Sequence, residues 1–218
     1  RPGIHSILRN KKEQIWLSEL KPLLNSCGFS THGPMKFTLD GQNSDLDLLI
    51  LDQREKFGLC CQLKWLTAPD RIRDVEYTEK ELSIGLKQAQ LSLKWVASLP
   101  TELSAQIGVS RDELRQYEFR ALVLSKNTIG SGWTYMSGVP IVNERLLKWV
   151  LGDPHHKSLR AFWQVGEERR YLPKRGKHFK DEDVRVGFAN INFLGKDMGA
   201  RLMGSWDPAL DIDLTGLR

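Results

Sequence analysis

The feature that most constrains the fold is a pair of apolar runs separated by a short polar turn. The first run, Leu48–Leu51, directly follows Asp47, and the second, Gly58–Trp65, carries Gln62 and Lys64. Side chains alternate along a strand, so Gln62 and Lys64 share one face. A hairpin of the two runs could bring Asp47, which lies 15 positions before Gln62, beside them. A carboxylate, an amide oxygen and an ammonium that converge in this way suit a phosphate and a divalent metal.

The two runs differ in their expected burial. Leu48–Leu51 is apolar at every position, which is typical of a strand buried on both faces. The second run alternates between two sets of residues, a pattern that predicts a half-buried strand. A half-buried strand also allows a non-functional alternative, in which Gln62 and Lys64 simply lie on its solvent-exposed face.

A helix is expected before this pair of strands. Asn10 is a candidate N-cap and Gly28 a candidate end. Apolar residues between them recur at helical spacing: Trp16, Leu20, Leu23, Leu24 and Cys27. Glu13 falls near the same stripe. It is either half of the helix cap or a carboxylate supplied to a site beneath the helix.

A second helix is expected after the pair of strands, starting at the capping box Thr78–Glu81 and broken by Pro100. Its inward face is predicted to contain several apolar residues: Leu82, Leu86, Ala89, Leu93, Val96 and Ala97. Lys87 and Gln90 are expected at the surface.

The remaining segments complete an α/β order. Residues 29–43 read as a loop in which Lys36–Leu39 could form a strand. Short helical structure is expected over 101–117. Three further elements follow: a strand at Phe119–Ser125, a strand at Val139–Val142 and a helix at Asn143–Leu151. Helices placed before, between and after strands predict a mixed sheet flanked by helices.

Composition bounds the class of protein. The 218 residues suffice for one large domain or for a domain with an appendage, and we expect a core over 1–151 and an extension over 152–218. No apolar run approaches the roughly 20 residues that span a bilayer. The net charge of +5 permits nucleic-acid binding. Cys60 and Cys61 fit reduced core residues, which favours a cytoplasmic location. The chain opens without methionine, so we expect it to be part of a longer protein.

The segment after Gly152 is richer in glycine and charge. It is predicted to lack helices and to have strands at Arg160–Val165 and Val184–Phe193. Between those strands lies the densest basic run of the chain, whose cations are Arg169, Arg170, Lys174, Arg175, Lys177 and Lys180. With its aromatic residues this run could bind nucleic acid through phosphates and stacking. A solvated loop held open by charge repulsion is the alternative.

The central pattern, Asp47 followed by Gln62-Leu63-Lys64 between two helices, resembles the PD-(D/E)XK nuclease superfamily. More narrowly, it resembles the branch in which glutamine replaces the second acid, as in Mrr-type restriction endonucleases. The similar portion runs from about Asn10 to Leu151. The resemblance implies a restriction endonuclease-like core and an Mg²⁺- or Mn²⁺-dependent endonuclease that hydrolyses phosphodiester bonds, most readily of DNA.

The resemblance also implies a role for each site residue. Asp47, Gln62 and the backbone carbonyl of Leu63 would bind the metal. Lys64 would orient or activate the attacking water, and Glu13 would be the helix-borne acid, with Glu19 as an alternative. Because Gln62 replaces a carboxylate, weaker metal binding is expected.

Three functions are therefore compared. The first is a metal-dependent DNA nuclease with no membrane association, acting as a homodimer or within a larger multidomain assembly. The second is a non-catalytic nucleic-acid-binding module on the same fold, and the third is a scaffold domain.

Overall fold

The computed structural model describes residues 4–66, 72–130, 134–152, 157–169, 179–188 and 191–202, with side chains described over 11–66, 73–130, 134–152 and 157–169. The chain divides into two compact units, Arg1–Glu168 and Arg169–Arg218. The first unit therefore continues past Leu151, where the sequence placed the end of the core. No helix among the described residues is long and apolar enough to cross a membrane.

A mixed five-stranded sheet forms the centre of the first unit. Its strands are β1 (Ser30–His32), β4 (Leu48–Asp52), β5 (Phe57–Lys64), β6 (Glu118–Ser125) and β7 (Ile141–Asn143), adjacent in that order. β1 and β5 pair antiparallel with β4, whereas β5, β6 and β7 run parallel. A separate antiparallel hairpin, β2 (Met35–Leu39) and β3 (Gln42–Leu46), leads into β4. The α/β class and the mixed sheet flanked by helices are thus confirmed.

Burial of β5 differs from the prediction. β4 is buried at every residue, as its apolar run indicated, but β5 is buried at every residue too. The expected half-buried strand and its solvated polar face are wrong. Gln62 and Lys64 are only 3% and 5% exposed, because β5 lies between β4 and β6 and a long helix covers the face that carries them.

That covering helix is α2 (Ile72–Ala97), and it begins earlier than predicted. Thr78, the expected cap, is an internal helical residue with 3% exposure. The charged residues before it extend the helix on its solvent side. The first helix, α1 (Ile4–Ser26), likewise begins before Asn10, so Asn10 is not its cap. In both cases a local capping pattern lies inside a longer helix, because capping sequences signal a start only when the preceding residues leave the helix.

Two apolar clusters fasten α2 to the sheet and to the hairpin. One includes Leu82, Leu86 and Ala89 with Ala121 and Val123 of β6. The other joins Trp95 and Val96 of α2 to Phe37 of β2, Leu49 of β4 and Cys60 of β5. Burial of these residues confirms most of the predicted inward face. Ala97 is exposed and Leu93 only partly buried.

The segment 29–43, predicted as mostly loop, contains β1, β2 and the first residues of β3. Only the possible strand at Lys36–Leu39 was anticipated. β1 depends on a partner distant in sequence, since Ser30 pairs with Leu51. β2 and β3 instead form a tight hairpin, in which Leu39 pairs with Gln42 across Asp40 and Gly41. Both turn residues have positive φ, and Asp-Gly is a typical two-residue hairpin turn, a local signal that the prediction missed.

The later elements largely follow prediction, with one exception. β6, β7 and helix α5 (Glu144–Gly152) match the expected order, and α3 (Thr101–Ile107) and α4 (Arg111–Leu114) fill the predicted helical stretch. The predicted strand at Arg160–Val165 is wrong, because Leu159–Glu167 forms helix α6. Ser158 caps it by accepting a hydrogen bond from the Ala161 amide. Its buried residues recur at helical spacing: Leu159, Phe162, Val165 and Gly166.

The second unit contains an antiparallel hairpin of β8 (Phe179–Phe188) and β9 (Ile191–Leu202). These strands include the predicted strand Val184–Phe193, which proves to be parts of two strands with residues 189–190 outside the described residues.

Candidate functional site

The structure places Asp47 where the hairpin strand β3 gives way to β4. Leu48 pairs with Cys61 and Leu49 with Cys60, so Asp47 stands opposite Gln62 and on the same face. Asp47 Oδ2 accepts a hydrogen bond from the Leu63 amide at 2.8 Å and a second from Gln62 Nε2. The Asp47 carboxylate therefore accepts a hydrogen bond from a β5 backbone amide that lies just beyond the last residue pair between β4 and β5.

Gln62 presents an orphaned acceptor beside this carboxylate. Its Nε2 donates to Asp47, while its Oε1 is buried and has no hydrogen-bond partner among the described residues. A buried polar oxygen without a partner costs free energy, about 1–3 kcal/mol. A bound cation or donor would remove that cost.

The Leu63 carbonyl faces the same edge as Asp47. In a strand, the N–H and C=O of one residue point to the same side. The Leu63 amide donates to Asp47, and the neighbouring Lys64 carbonyl faces the opposite edge, where it accepts from the Lys126 amide at 2.9 Å. Alternation along β5 thus directs the Leu63 carbonyl toward the open end of β4.

Lys64 extends beneath α2 on the face that carries Gln62. Its Nζ donates to Gln88 Oε1 at 3.0 Å. A Cβ atom added to Gly85 would lie 2.9 Å from Lys64 Cε, so the lysine side chain occupies the space that the glycine leaves. The small residue of α2 and the amide one turn later together hold the ammonium in place.

Glu13 of α1 also reaches this end of β5. Its Oε1 accepts a hydrogen bond from the Trp65 amide at 3.3 Å, and its charge raises the pKa of Asp47. Glu19, the alternative acid, forms an ion pair with Lys126 instead. The structure therefore brings Glu13, Asp47, Gln62 and Lys64 to one end of the sheet.

Burial dominates the electrostatics of Asp47. Desolvation raises its pKa from 3.8 to about 7, against the lowering effect of the Leu63 amide. Asp45 and Glu13 raise the pKa further, and Lys64 lowers it. The raised pKa means that the surroundings of Asp47 do not supply enough positive charge to stabilise its ionised form. A bound divalent cation would supply that charge and lower the pKa.

The donor set fits a hard cation better than a soft one. No group of three or more His, Cys, Asp or Glu side chains with metal-binding geometry occurs within the described residues. The oxygens at hand are carboxylate, amide and backbone carbonyl. Such oxygens suit Mg²⁺ or Mn²⁺, which retain waters and complete their shell with substrate phosphate. Both hydrogen bonds of Asp47 to described residues involve Oδ2, which leaves Oδ1 for a ligand.

A cluster around Lys126 braces the end of β5. Lys126 Nζ lies over the rings of Trp16 and Trp65, at 5.3 and 5.2 Å from their centroids. It also pairs with Glu144 at 2.8 Å. These contacts join α1, α5 and the residue after Lys64, so the backbone amide that Glu13 accepts from is held by several elements at once.

Gln88 and Gly85 were not identified from the sequence. They belong to a stripe of polar and small residues at i, i+4, i+7 and i+11 of α2: Glu81, Gly85, Gln88 and Ser92. Glu81 and Ser92 are 8% and 0% exposed. A polar stripe beside an apolar one was the available signal, since it indicates a helix face that covers polar residues of a sheet.

Most of the residues predicted to bind nucleic acid lie outside the part of the chain that the structure describes. Arg170, Lys174, Arg175 and Lys177 lie outside the described residues, and the side chain of Lys180 is not described either. Arg169 follows α6, with φ of 54°.

Comparison of the chain with protein-family models, with curated proteins and with solved structures finds no match.

Proposed function

We propose that the unit Arg1–Glu168 is a metal-dependent nuclease that hydrolyses phosphodiester bonds of DNA. The single observation that carries the proposal is the meeting of Asp47, Gln62 and Lys64 on one sheet face, with the orphaned Gln62 Oε1 beside the carboxylate. A buried polar atom costs free energy unless it has a hydrogen-bond partner or a bound cation, and Gln62 Oε1 has no partner among the described residues.

Each residue has a role that its position supports. Asp47 Oδ1, Gln62 Oε1 and the Leu63 carbonyl would hold Mg²⁺ or Mn²⁺. When bound, such an ion lowers the pKa of water and stabilises charge on the phosphate. Lys64, fixed by Gln88, supplies positive charge where the transition state gains negative charge. Glu13 is placed to accept a proton or to orient a water at the same end of β5.

The order of elements supports the likeness to the PD-(D/E)XK superfamily. A helix precedes two antiparallel strands that carry Asp47 and the Gln62–Lys64 segment, and a second helix leads to a parallel strand. The restriction endonuclease-like core, the Mrr-type branch and a cytoplasmic location remain parts of the proposal.

Cleavage of supercoiled plasmid and of single-stranded DNA with Mg²⁺ or Mn²⁺ tests the function. We expect the wild type to cut and both Asp47→Asn and Lys64→Met to lose cleavage. Asp112→Asn and Lys157→Met remove the same charges from exposed positions and should cut normally. A Lys64→Met protein that cuts at the wild-type rate would exclude the assigned site.

The other two functions are outcomes of the same assay. A wild type that retains DNA but never cuts it would be a nucleic-acid-binding module, for which the basic run from Arg169 to Lys180 is the expected contact. A wild type that neither cuts nor binds would be a scaffold. Cleavage that depends on protein concentration would indicate the expected homodimer.

A further inference from the structure

A groove adjoins the candidate site on the α2 side of the sheet. The hairpin β2–β3 forms one wall, and α2 with the start of α3 forms the other. The groove has a volume of about 1260 Å³, and Asp45 and Gln88 are among its lining residues. Gln88 accepts a hydrogen bond from Lys64, so the groove wall includes the residue that holds the proposed catalytic lysine.

Three lysines stand on the walls of this groove. Lys36 belongs to the hairpin, and Lys87 and Lys94 belong to α2. All three are exposed, and none has an ion-pair partner among the described residues. Two carboxylates, Asp45 and Glu102, line the groove with them. Three cations against two anions leave the lining with a net charge of +1.

The helix lysines form a row along the groove. Lys87 and Lys94 are seven residues apart on one side of α2, a rise of about 10 Å. Such a row can contact successive phosphates of one extended strand. Lys36 faces them from the other wall.

The remaining lining favours unpaired bases over a duplex. Phe37 and Trp95 stack at 4.6 Å between centroids and, at 7% and 5% exposure, form an apolar floor. Side-chain amides such as those of Asn43 and Gln90 line the walls. They can hydrogen-bond to the base edges that are free in a single strand and are used for base pairing in a duplex. The volume lies little above that of an ordinary ligand pocket, about 300–1000 Å³, which accommodates a few nucleotides.

We infer that this groove binds a single-stranded segment of nucleic acid and directs it to the site at Asp47 and Lys64. Phosphates contact Lys36, Lys87 and Lys94, and bases lie toward the amide-lined walls. The inference deepens the proposed nuclease function and rests on it for the direction of the strand, whereas binding in the groove can be measured without cleavage.

Binding of a short fluorescent oligothymidylate to the full chain in EDTA tests the groove, with KCl varied and a matched duplex for comparison. The test variant carries three substitutions: Lys36→Gln, Lys87→Gln and Lys94→Gln. The control variant removes three exposed cations that do not line the groove: Lys12→Gln, Arg111→Gln and Lys157→Gln.

We expect the triple groove variant to reduce the salt slope for the single strand by about 2, or roughly 100-fold in affinity at about 0.1 M salt. The control variant should change the salt slope and the affinity for the single strand far less. Duplex binding should be weaker than single-strand binding and less sensitive to the groove substitutions. Stabilisation by Mg²⁺ should be the same in the groove variant as in the wild type, since none of the three lysines contacts Asp47 or Gln62.

Equal slopes for the wild type and the groove variant would overturn the inference, as would an equal loss in the control. Tighter binding of polyglutamate than of oligonucleotide, with the same lysine dependence, would also overturn it and assign the groove to an acidic protein segment. Groove-dependent binding by a wild type that does not cut DNA would support the groove and reject the nuclease.

Discussion

Replacing Asp47 by asparagine should stabilise the metal-free protein at neutral and alkaline pH. Burial raises the pKa of Asp47 from 3.8 to about 7, so the folded protein disfavours the charged carboxylate. Asparagine is similar in shape, carries no charge and retains an oxygen that can accept from the Leu63 amide. The substitution therefore removes an unfavourable charge and preserves a hydrogen bond.

The linkage between proton binding and folding gives the sign and size of this effect on the free energy of unfolding. A raised carboxyl pKa means that the folded state binds the proton more tightly than the unfolded state, so stability falls as pH rises from about 4 to about 7. The difference between 3.8 and about 7, at about 1.4 kcal/mol for each pKa unit, gives about 4 kcal/mol above neutrality. At about pH 5 the cost is under about 2 kcal/mol.

Urea unfolding followed by tryptophan fluorescence, without metal, measures this difference. The advantage of Asp47→Asn over the wild type should be about 4 kcal/mol at about pH 8 and less than half of that at about pH 5. Asp112→Asn, which removes an exposed carboxylate, should show no comparable pH dependence. Adding Mg²⁺ should then stabilise the wild type by mass action and leave Asp47→Asn unchanged.

Two results would refute this reasoning. If Asp47→Asn is no more stable than the wild type at about pH 8, burial does not penalise the charge. If Mg²⁺ stabilises both proteins equally, Asp47 is not a ligand. Loss of cleavage together with a gain in stability would instead separate a functional role of the carboxylate from any role in folding.

Three further substitutions test the surroundings of the site. Gly85→Ala should leave stability within about 1 kcal/mol, because helix propensity improves, but lower cleavage by about 10- to 100-fold, since its Cβ displaces the Lys64 side chain. Gly33→Ala should cost about 2 kcal/mol or more in urea unfolding, because this residue has φ of 107° and its Cβ would lie 2.8 Å from the Asp47 carbonyl oxygen. Lys64→Met, which keeps the volume and removes the ammonium, should abolish cleavage and keep the thermal midpoint within a few degrees of the wild type.

Matched glycines serve as controls for the first two. Gly152→Ala adds a Cβ with nothing within 4 Å and should cut at the wild-type rate. Gly28→Ala has φ of 90° but also open space, so it isolates backbone strain from the contact with Asp47. If Gly85→Ala cleaves normally, the packing of Lys64 against α2 does not position the ammonium.

Local sequence patterns gave good predictions for the strands that carry the site. The apolar run Leu48–Leu51 and the alternation around Gln62 fixed two strands and put Gln62 and Lys64 on one face, because the side-chain period of a strand is two. The pairing that places Asp47 opposite Gln62 followed from a short turn. By contrast, β1 was missed because its partner Leu51 lies far along the chain. The hairpin of β2 and β3 was missed although its Asp40-Gly41 turn is a local signal.

The predicted starts of helices α1 and α2 were wrong for a different reason. Asn10 and Thr78 have the residue types of caps, but the flanking residues continue the helix in both cases. The strand predicted at Arg160–Val165 is part of helix α6. Its inward residues recur at helical spacing, and the helix packs against β5.

The sequence by itself determined which chemical groups share a face: Asp47, Gln62 and Lys64 follow from alternation and one turn. Only the tertiary structure decided that this face is buried, because burial depends on where α2 packs and not on the strand. The same packing brought Gln88 to Lys64, and the position of α1 brought Glu13 to the Trp65 amide. A strand pattern sets directions, whereas contacts between elements set distance, desolvation and hence the raised pKa of Asp47.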